Sequence, residues 1–148
     1  QGLSPVDLSE GGLSEGLQRL ASITDHCRYD ADIDLDARLS ALDVDDLLNL
    51  YWIVYEAVTN ADRHAEADAI RIRAYDGEDE RGEAVVHLVV DDDGTGFVVD
   101  DVQEDSWGLR LMKYRADLLG ADVEIESALG EGTRVDCFLY VEAASDGS

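Results

Sequence analysis

Four polar side chains of different chemistry lie at helical spacing in the stretch YWIVYEAVTNADRHAEA. They are Glu56, Asn60, Arg63 and His64. At about 100° per residue they fall within one arc of roughly 100° on a helix, and apolar residues such as Val54 lie on the opposite side. One face would then present an acid, an amide, a guanidinium and an imidazole to a single ligand. A solvated helix face with pairs three and four residues apart would show the same spacing, so both interpretations stay open.

The second candidate is an acidic glycine turn, VVDDDGTGF, between Val89 and Phe97. Neighbouring carboxylates repel one another and glycines cost backbone entropy, so this combination needs a physical reason. One interpretation is that a buried carboxylate accepts a hydrogen bond from a ligand amine, while the glycines let the ligand approach the backbone closely. Asp91 and Asp93 would then flank the strand end and face solvent or a cation. A plain acidic turn without a ligand stays open as an alternative.

The same turn fits a calcium loop poorly. Such a loop needs oxygen ligands at alternate positions, a glycine at its sixth position and a closing glutamate. With Gly94 as the sixth residue, Asp91 and Asp93 occupy suitable positions. However, Val89 takes the place of the first ligand and Asp100 that of the bidentate glutamate. The sequence therefore disfavours calcium binding.

Periodicity and turn residues predict the elements that carry these candidates. Helices are predicted over LSEGLQRLASIT, from Val44 to about His64, and over GLRLMKYRADLLG. Ser40 or Asp43 would cap the second helix, and Gly120 would close the third. Strands are predicted over YDADIDL, over a hairpin formed by AIRIRAY and EAVVHLVV, and over DVEIES and TRVDCFLYV. This order indicates an α+β fold in which helices cover one face of a mixed, mostly antiparallel sheet.

Composition indicates one acidic domain with a hydrophobic core. The chain has 148 residues and a formal net charge of -24, and Lys113 is its only lysine. This composition, with many acidic residues and almost no lysine, is similar to that of proteins from salt-loving organisms, whose surface charges are strongly screened by salt. Such a surface is a poor partner for nucleic acid or anionic lipid. The two cysteines, Cys27 and Cys137, fit no metal-ligand spacing and are expected to behave as small buried apolar residues.

Three blocks of the sequence, in this order, carry a resemblance to a known family. They are EAVTNADRHA, VDDDGTGF and GLRLMKYRADLLGADVEIESALGEGT. Together they resemble the ATP-binding domain of sensor histidine kinases, which belongs to the superfamily of gyrase, the Hsp90 chaperones and the MutL repair proteins. The nitrate-sensor-type kinases look most similar. The resemblance runs from about Leu13 to Val141, and it implies a two-layer α/β sandwich that binds ATP.

This resemblance gives a role to each residue of the helical face. Glu56 matches the acid that polarises the attacking group or a water, which makes it the one catalytic candidate. Asn60 matches the asparagine that supplies an oxygen to Mg²⁺. Arg63 lies where the family has lysine or arginine near phosphate, and His64 lies where an imidazole or aromatic ring is common. The implied ligands are therefore ATP and Mg²⁺.

The glycine turn and the third block receive nucleotide-binding roles from the same resemblance. Asp92 matches the aspartate that accepts a hydrogen bond from the adenine amino group, and its acidic neighbours are attributed to the chain's general acidity. Gly94 and Gly96 match the glycines beneath the base. Gly108 and Leu109 open a helix whose free N–H groups and dipole favour phosphate. The residues of the last box are Gly130, Gly132 and Thr133. Its threonine helps to fix the waters at adenine.

The resemblance implies a phosphotransferase that needs further parts. The loop from Val98 to Trp107 would act as a lid over ATP. None of the three histidines, His26, His64 and His87, resembles the phosphorylated histidine of such kinases. The expected partners are therefore the protein's own dimerisation and histidine-phosphotransfer domain and a response regulator, without nucleic acid or membrane contact.

The domain boundaries and the location follow from this picture. Residues 1–22 would end the dimerisation region or linker, residues 23–142 would form the ATP-binding domain, and residues 143–148 would be a flexible tail. No apolar run approaches the ~20 residues that span a bilayer, and no signal peptide is evident. A cytoplasmic location is expected, although a longer sensor protein could carry membrane segments beyond these ends.

Two other functions are compatible with these motifs. A free-standing serine kinase of the anti-sigma-factor type shares the character of the first block, whereas the GLRLMKYRADLLG helix followed by EIES favours the histidine kinase. A non-enzymatic nucleotide-binding module for protein contacts is the third hypothesis. The presence of Asn60, Asp92, Gly94 and Gly96 argues against a degenerate site.

Overall fold

Five strands form one sheet in the order β1-β2-β3-β5-β4 in the computed structural model, which describes residue 8 and residues 12–63, 66–96 and 107–141. The strands are β1 (Cys27–Ala31), β2 (Ile70–Glu78), β3 (Ala84–Asp92), β4 (Asp122–Ser127) and β5 (Thr133–Tyr140). The helices are α1 (Gly12–Ala21), α2 (Leu35–Arg38), α3 (Val44–Arg63) and α4 (Trp107–Leu119). Strand β1 runs parallel to β2, and the other neighbouring pairs are antiparallel. The α+β fold with a mixed, mostly antiparallel sheet is therefore confirmed.

The helices cover one face of this sheet. Alternate residues of a strand point to opposite faces, and the register aligns Ile72 with Val90 and Ala74 with Leu88 on the same face. These side chains share one buried cluster with α1, α3 and α4. Val89 is also buried but faces the opposite side of the sheet. Two layers with the main core between them are the result, as the sequence predicts.

Helix α3 is positioned by its cap and by its apolar side. Oδ1 of Asp43 accepts the N–H of Asp46 (2.9 Å), so Asp43 rather than Ser40 caps the helix. Residues on one side of α3 pack into the core, including Val54, Val58 and Ala61, each at most 2% exposed. This packing leaves the opposite side of the helix for polar side chains.

The region around the first strand differs from the prediction. The strand predicted over YDADIDL is instead the shorter and earlier β1, Cys27–Ala31. A four-residue helix, α2, follows it, because Oδ1 of Asp34 accepts the N–H of Ala37 (3.2 Å) and caps a helical turn. Leu35 of that turn is fully buried. The apparent alternation after Ala31 is therefore a coincidence of spacing.

Helix α1 packs into the same core as α3. Its residues Leu13, Leu17 and Leu20 are at most 1% exposed. The predicted boundaries at residues 22 and 142 stay predictions, and residues 142–148 lie outside the described part of the chain. Within the described ranges, no helix combines the length and apolarity needed to cross a bilayer. Cys137 is 1% exposed and burial raises the pKa of its thiol to about 12, so it behaves as the small apolar residue that was expected.

Candidate functional site

The polar side of α3 meets the first turn of α4 at Gly108. A Cβ atom on Gly108 would lie 2.5 Å from Oε2 of Glu56 and 3.2 Å from Nδ2 of Asn60. Both side chains are therefore directed at the start of α4, and both are partly buried. Arg63, one turn later, is exposed, and His64 lies outside the described residues. The structure thus brings together the acid and the amide of the predicted helical face.

The first turn of α4 offers an anion-binding surface beside this pair. The first N–H groups of an α-helix have no partner within the helix, and the helix dipole favours negative charge there. Gly108 lets the Glu56 and Asn60 side chains come close to this turn, because a side chain at position 108 would occupy their space. Leu109, the next residue, is 5% exposed, so its side chain is directed into the core and not toward a ligand.

The donor set at this place fits a magnesium ion. Mg²⁺ prefers oxygen ligands, keeps several waters and is usually held by one or two protein groups plus substrate phosphates. Glu56 and Asn60 both carry a side-chain oxygen, and the atoms nearest to Gly108 are Oε2 of Glu56 and Nδ2 of Asn60. Among residues 12–63, 66–96 and 107–141, no group of three or more His, Cys, Asp or Glu could hold a metal by itself. A Mg²⁺ ion here would therefore need phosphate and water to complete its coordination.

Asp92 ends β3 on the helix-covered face of the sheet. It pairs with Ile70 on one side and with Thr133 on the other. Gly94 donates its N–H to Oδ1 of Asp92 (2.8 Å), and the backbone of Thr133 also hydrogen bonds to this carboxylate. Burial nevertheless raises the pKa of Asp92 above its ordinary value, because desolvation outweighs these bonds. The carboxylate is thus half-buried, oriented by the backbone and able to accept a further donor.

Two glycines allow the acidic turn to lie in close contact with the loop between β4 and β5. A Cβ atom on Gly132 would collide with the carbonyl oxygen of Asp92, and one on Gly96 would collide with that of Ala128. Both glycines have positive φ angles, +78° and +68°, which other L-residues rarely adopt. Gly94 is buried in the same turn. Each glycine therefore allows a close approach between two backbone segments that together hold Asp92.

Hydroxyl groups line the same loop. Oγ of Ser127 donates to the carbonyl oxygen of Gly132 (3.0 Å) and lies 2.8 Å from Oγ1 of Thr133. Gly130 donates its N–H to the carbonyl oxygen of Thr95 (2.7 Å), which ties the loop to the acidic turn. The predicted residues of the last box thus lie next to Asp92. Ser127 was not predicted, although its position opposite Thr133 follows from the pairing of β4 with β5.

The acidic neighbours of Asp92 have specific partners, which corrects their attribution to general acidity. Oδ2 of Asp91 accepts a hydrogen bond from Arg73 (2.9 Å), and Oδ1 of Asp91 lies 3.0 Å from Nε of Arg134. These two arginines belong to the strands on either side of β3, on the face away from the helices. Asp93 is exposed to solvent, as predicted, and its carboxylate accepts two backbone N–H groups. The three consecutive carboxylates therefore serve three different purposes.

Adjacent aspartates are expected to titrate on opposite sides of 3.8, their ordinary pKa. Burial raises the pKa of Asp92, whereas backbone donors lower the pKa of Asp93. As the pH rises from 3.8 through the folded-state pKa of Asp92, this residue lowers the free energy of unfolding. The stabilising contribution of Asp93 is present above 3.8 and is lost as the pH falls through its folded-state pKa. Carbonyl-detected NMR of the two side chains measures both midpoints, and equal midpoints would contradict the assigned environments.

Other predicted parts are only partly described. Of the predicted lid, residues 98–106 lie outside the described residues, and Trp107 begins α4. His87 lies on the outer face of the sheet, where its Nδ1 is 2.9 Å from Oδ1 of Asp136. His26 contacts Thr24 (3.0 Å) and Asp62 (3.2 Å) near the end of α3. Neither of these two histidines lies on a long exposed helix.

Curated relatives of the chain are sensor kinases. The chain is 33% identical over 134 residues to the sensor histidine kinase LiaS of Bacillus subtilis, an alignment that covers 90% of this chain and 36% of that protein. It is 35% identical over 130 residues to the sensor histidine kinase YdfH of the same organism, covering 84% of this chain and 31% of that protein. The chain thus spans about a third of the length of these relatives.

A solved structure and a family model agree with this similarity. The crystal structure of the ATP-binding domain of PrrB from Mycobacterium tuberculosis superposes with a TM-score of 0.58 at 22% identity, over 90% of this chain and 95% of that one, which shows a shared fold. The model of the histidine kinase-, DNA gyrase B- and HSP90-like ATPases matches residues 45–143, which include α3, the acidic turn and the loop that ends at Thr133. The chain therefore belongs to the family of histidine kinase-, DNA gyrase B- and HSP90-like ATPases.

Proposed function

We propose that this chain is the ATP-binding catalytic domain of a two-component sensor histidine kinase, which donates the γ-phosphoryl group of ATP to a histidine outside the chain. The observation that carries the proposal is the meeting of Glu56 and Asn60 with the start of α4 at Gly108. A carboxylate and an amide side chain beside a helix N-terminus suit a metal-bound triphosphate. Asp92, half-buried on the same face of the sheet, offers the acceptor that an adenine amino group needs.

The residues divide the binding of ATP between two ends of the site. At one end Asp92 accepts the adenine amino group, Gly94 and Gly96 lie beneath the base, and the hydroxyl of Thr133 orders water. At the other end Asn60 supplies an oxygen to Mg²⁺, which when bound offsets phosphate charge. The N-terminal end of α4, at Gly108 and Leu109, favours phosphate through the helix dipole. Gly132 keeps the loop close to Asp92.

Phosphoryl transfer would depend mainly on positioning. An imidazole nitrogen of the acceptor histidine attacks the γ-phosphorus in line, the bond to the β-γ bridging oxygen breaks, and ADP leaves with that electron pair. Glu56 polarises the attacking group through its carboxylate, which lies beside the phosphate-binding turn. Arg63, at the exposed end of α3, would bind phosphate oxygens, and the resemblance gives His64 the same role.

The partners of this domain follow from what it has to phosphorylate. We propose its own dimerisation and histidine-phosphotransfer domain as the acceptor and a response regulator as the next recipient. The described histidines, His26 and His87, are engaged by Asp62 and Asp136 respectively and do not suit this role. The domain alone should therefore bind nucleotide and show little phosphotransfer. A cytoplasmic location belongs to the same proposal.

Two finer assignments are proposals as well. The short segment between the acidic turn and α4, nine residues from Val98 to Ser106, supports the nitrate-sensor-type subfamily. The net charge of -24 with a single lysine supports adaptation to high salt. Because a polyanionic protein repels a triphosphate, salt screening is expected to assist binding.

Calorimetry with a non-hydrolysable ATP analogue tests the proposal. We expect binding that strengthens with Mg²⁺ and that is tighter in about 1 M KCl than in about 0.1 M KCl, since the screening length falls from ~10 Å to ~3 Å. Absence of binding under both conditions would contradict the function. The sensor kinase relatives favour a histidine acceptor over the serine kinase or the non-enzymatic module.

Replacing Asn60 with alanine should remove the effect of Mg²⁺. The variant loses the proposed oxygen ligand of Mg²⁺, so affinity in the presence of Mg²⁺ should fall about tenfold, as for loss of a bond to a charged group. Affinity in EDTA should change less than about twofold, because Asp92 still accepts adenine. The same calorimetric titration measures both values, and an equal loss in EDTA would show that Asn60 does not act through the metal.

A further inference from the structure

Asp93 joins the acidic turn to the connection between α3 and β2. Its Oδ1 accepts the N–H groups of Asp68 (2.8 Å) and Ala69 (2.9 Å). Asp93 also donates its own N–H to the carbonyl oxygen of Ala69 (3.3 Å). Three hydrogen bonds therefore tie one residue of the turn to two consecutive residues of the connection. The N–H of Ala69 above all holds the pKa of the Asp93 carboxyl below its ordinary value, so these bonds are charge-assisted.

The same connection is tied back to the last turn of α3. Ala67 donates its N–H to the carbonyl oxygen of Ala61 (3.3 Å), and both residues are buried, at 7% and 1% exposed. Ala61 follows Asn60 directly, and Asp93 follows Asp92 directly. A short series of backbone contacts therefore runs from the proposed adenine end of the site to the proposed Mg²⁺ end.

The separation of these two ends decides whether one nucleotide can use both. A displacement of about 1 Å between groups that position the same ligand can cost up to ~100-fold in a rate. Packing of α3 on the sheet through Val58 and Ala61 is apolar and non-directional. Hydrogen bonds are directional, so those of Asp93 can fix a register that packing alone leaves adjustable.

We propose that Asp93 is a positioning residue for nucleotide binding, whose carboxylate holds the connection after α3 against the acidic turn and so sets the Mg²⁺-binding end relative to the adenine-binding end. Asp93 touches neither nucleotide nor metal in this arrangement. Asp93 therefore affects how well one nucleotide can contact the adenine-binding end and the Mg²⁺-binding end at the same time. The inference rests on the proposed function, because it concerns the same site.

The test compares two substitutions at position 93. Asp93→Ala removes the acceptor of two N–H groups, and we expect the gain in affinity that Mg²⁺ gives the ATP analogue to fall about tenfold. Asp93→Asn removes the charge but keeps Oδ1 as an acceptor, so the Mg²⁺ gain should stay within about twofold of the unaltered protein. For each protein, calorimetry in Mg²⁺ and in EDTA gives the gain as a ratio of dissociation constants.

A matched control lies at the other end of the same hairpin. Oδ1 of Asp79 accepts the N–H groups of Arg81 (2.8 Å) and Glu83 (2.9 Å), and its carboxyl pKa is also lowered by backbone donors. Asp79→Ala thus removes a similar pair of backbone hydrogen bonds away from the site, together with the contacts of Asp79 to Tyr140 and Arg81. We expect its melting temperature to fall at least as much as that of Asp93→Ala, with the Mg²⁺ gain unchanged.

The outcomes separate the inference from the proposed function. A normal Mg²⁺ gain in Asp93→Ala, with only a lower melting temperature, would show a merely structural role and overturn the inference while the function stands. An equal loss in Asp93→Asn would also overturn it, because charge and not the acceptor geometry would then matter. If the unaltered protein does not bind the analogue at all, the proposed function fails first, and the inference fails with it.

Discussion

Replacing Asp92 with asparagine is expected to abolish nucleotide binding while the fold persists. Gly94 and Thr133 donate backbone N–H groups to this carboxylate, so the amide oxygen of an asparagine would turn toward them. Its NH₂ group would then face the amino group of adenine, donor against donor, in a half-buried place. Affinity for the ATP analogue should fall at least about a hundredfold, since a site built to pair a polar group discriminates strongly when the pairing fails.

Stability should respond in the opposite sense. Burial raises the pKa of Asp92, so the ionised carboxylate is less favourable in the folded state than in the unfolded chain. A neutral asparagine avoids this cost, and the midpoint of chemical unfolding should stay equal or rise. Calorimetry and urea denaturation of the same preparation measure the two effects. Tight binding by Asp92→Asn would remove the basis for placing adenine at this carboxylate.

Asp91→Asn is the matched control for this experiment. It makes the same chemical change one residue earlier, on the opposite face of the sheet, where Asp91 contacts Arg73 and Arg134. Loss of a carboxylate shared by two guanidinium groups should lower stability, because two partly buried charges lose their partner. Nucleotide affinity should stay within about twofold, since the described contacts of Asp91, to Arg73 and Arg134, lie on the face away from the helices. Asp92→Asn would thus lower nucleotide affinity without lowering stability, whereas Asp91→Asn would lower stability without changing affinity.

The regular elements could be predicted because their patterns are local. The alternation of AIRIRAY and EAVVHLVV gives β2 and β3, and the apolar side of YWIVYEAV gives α3. The short parallel strand β1 and the four-residue α2 carry too few periods for such a pattern. Their boundaries depend on the cap at Asp34 and on pairing with β2, which sequence alone does not show.

Site contacts between distant segments could not be read from spacing. The site residues of α3 and of the acidic turn were predicted by resemblance. The approach of Glu56 and Asn60 to Gly108 was not, because it joins segments about 50 residues apart. It follows only from the packing of α3 on α4. Asp93 and Asp68 are 25 residues apart in sequence. A run of three carboxylates looks uniform in sequence, whereas successive side chains at the end of a strand point to opposite faces of the sheet.

Gly132→Ala should damage both stability and nucleotide binding. Its φ of +78° alone costs an L-residue roughly 1–2 kcal/mol. In addition, the new Cβ atom would collide with the carbonyl oxygen of Asp92 and lie 3.0 Å from its carbonyl carbon. Backbone atoms in a sheet cannot move aside like a flexible side chain, so the total loss should reach about 3 kcal/mol. The displaced end of β3 would also move the Asp92 carboxylate away from adenine.

Gly130→Ala separates backbone strain from this collision. Gly130 lies in the same loop with a φ of +79°, but a Cβ atom there would meet nothing within 4 Å. The alanine can keep the N–H bond to Thr95, so the variant should lose only the roughly 1–2 kcal/mol of conformational strain and should bind the ATP analogue normally. Urea denaturation and calorimetry of both variants measure the difference. Equal losses of stability and affinity in the two variants would mean that close packing of Gly132 on the backbone of Asp92 has no effect, because the two glycines differ chiefly in that contact.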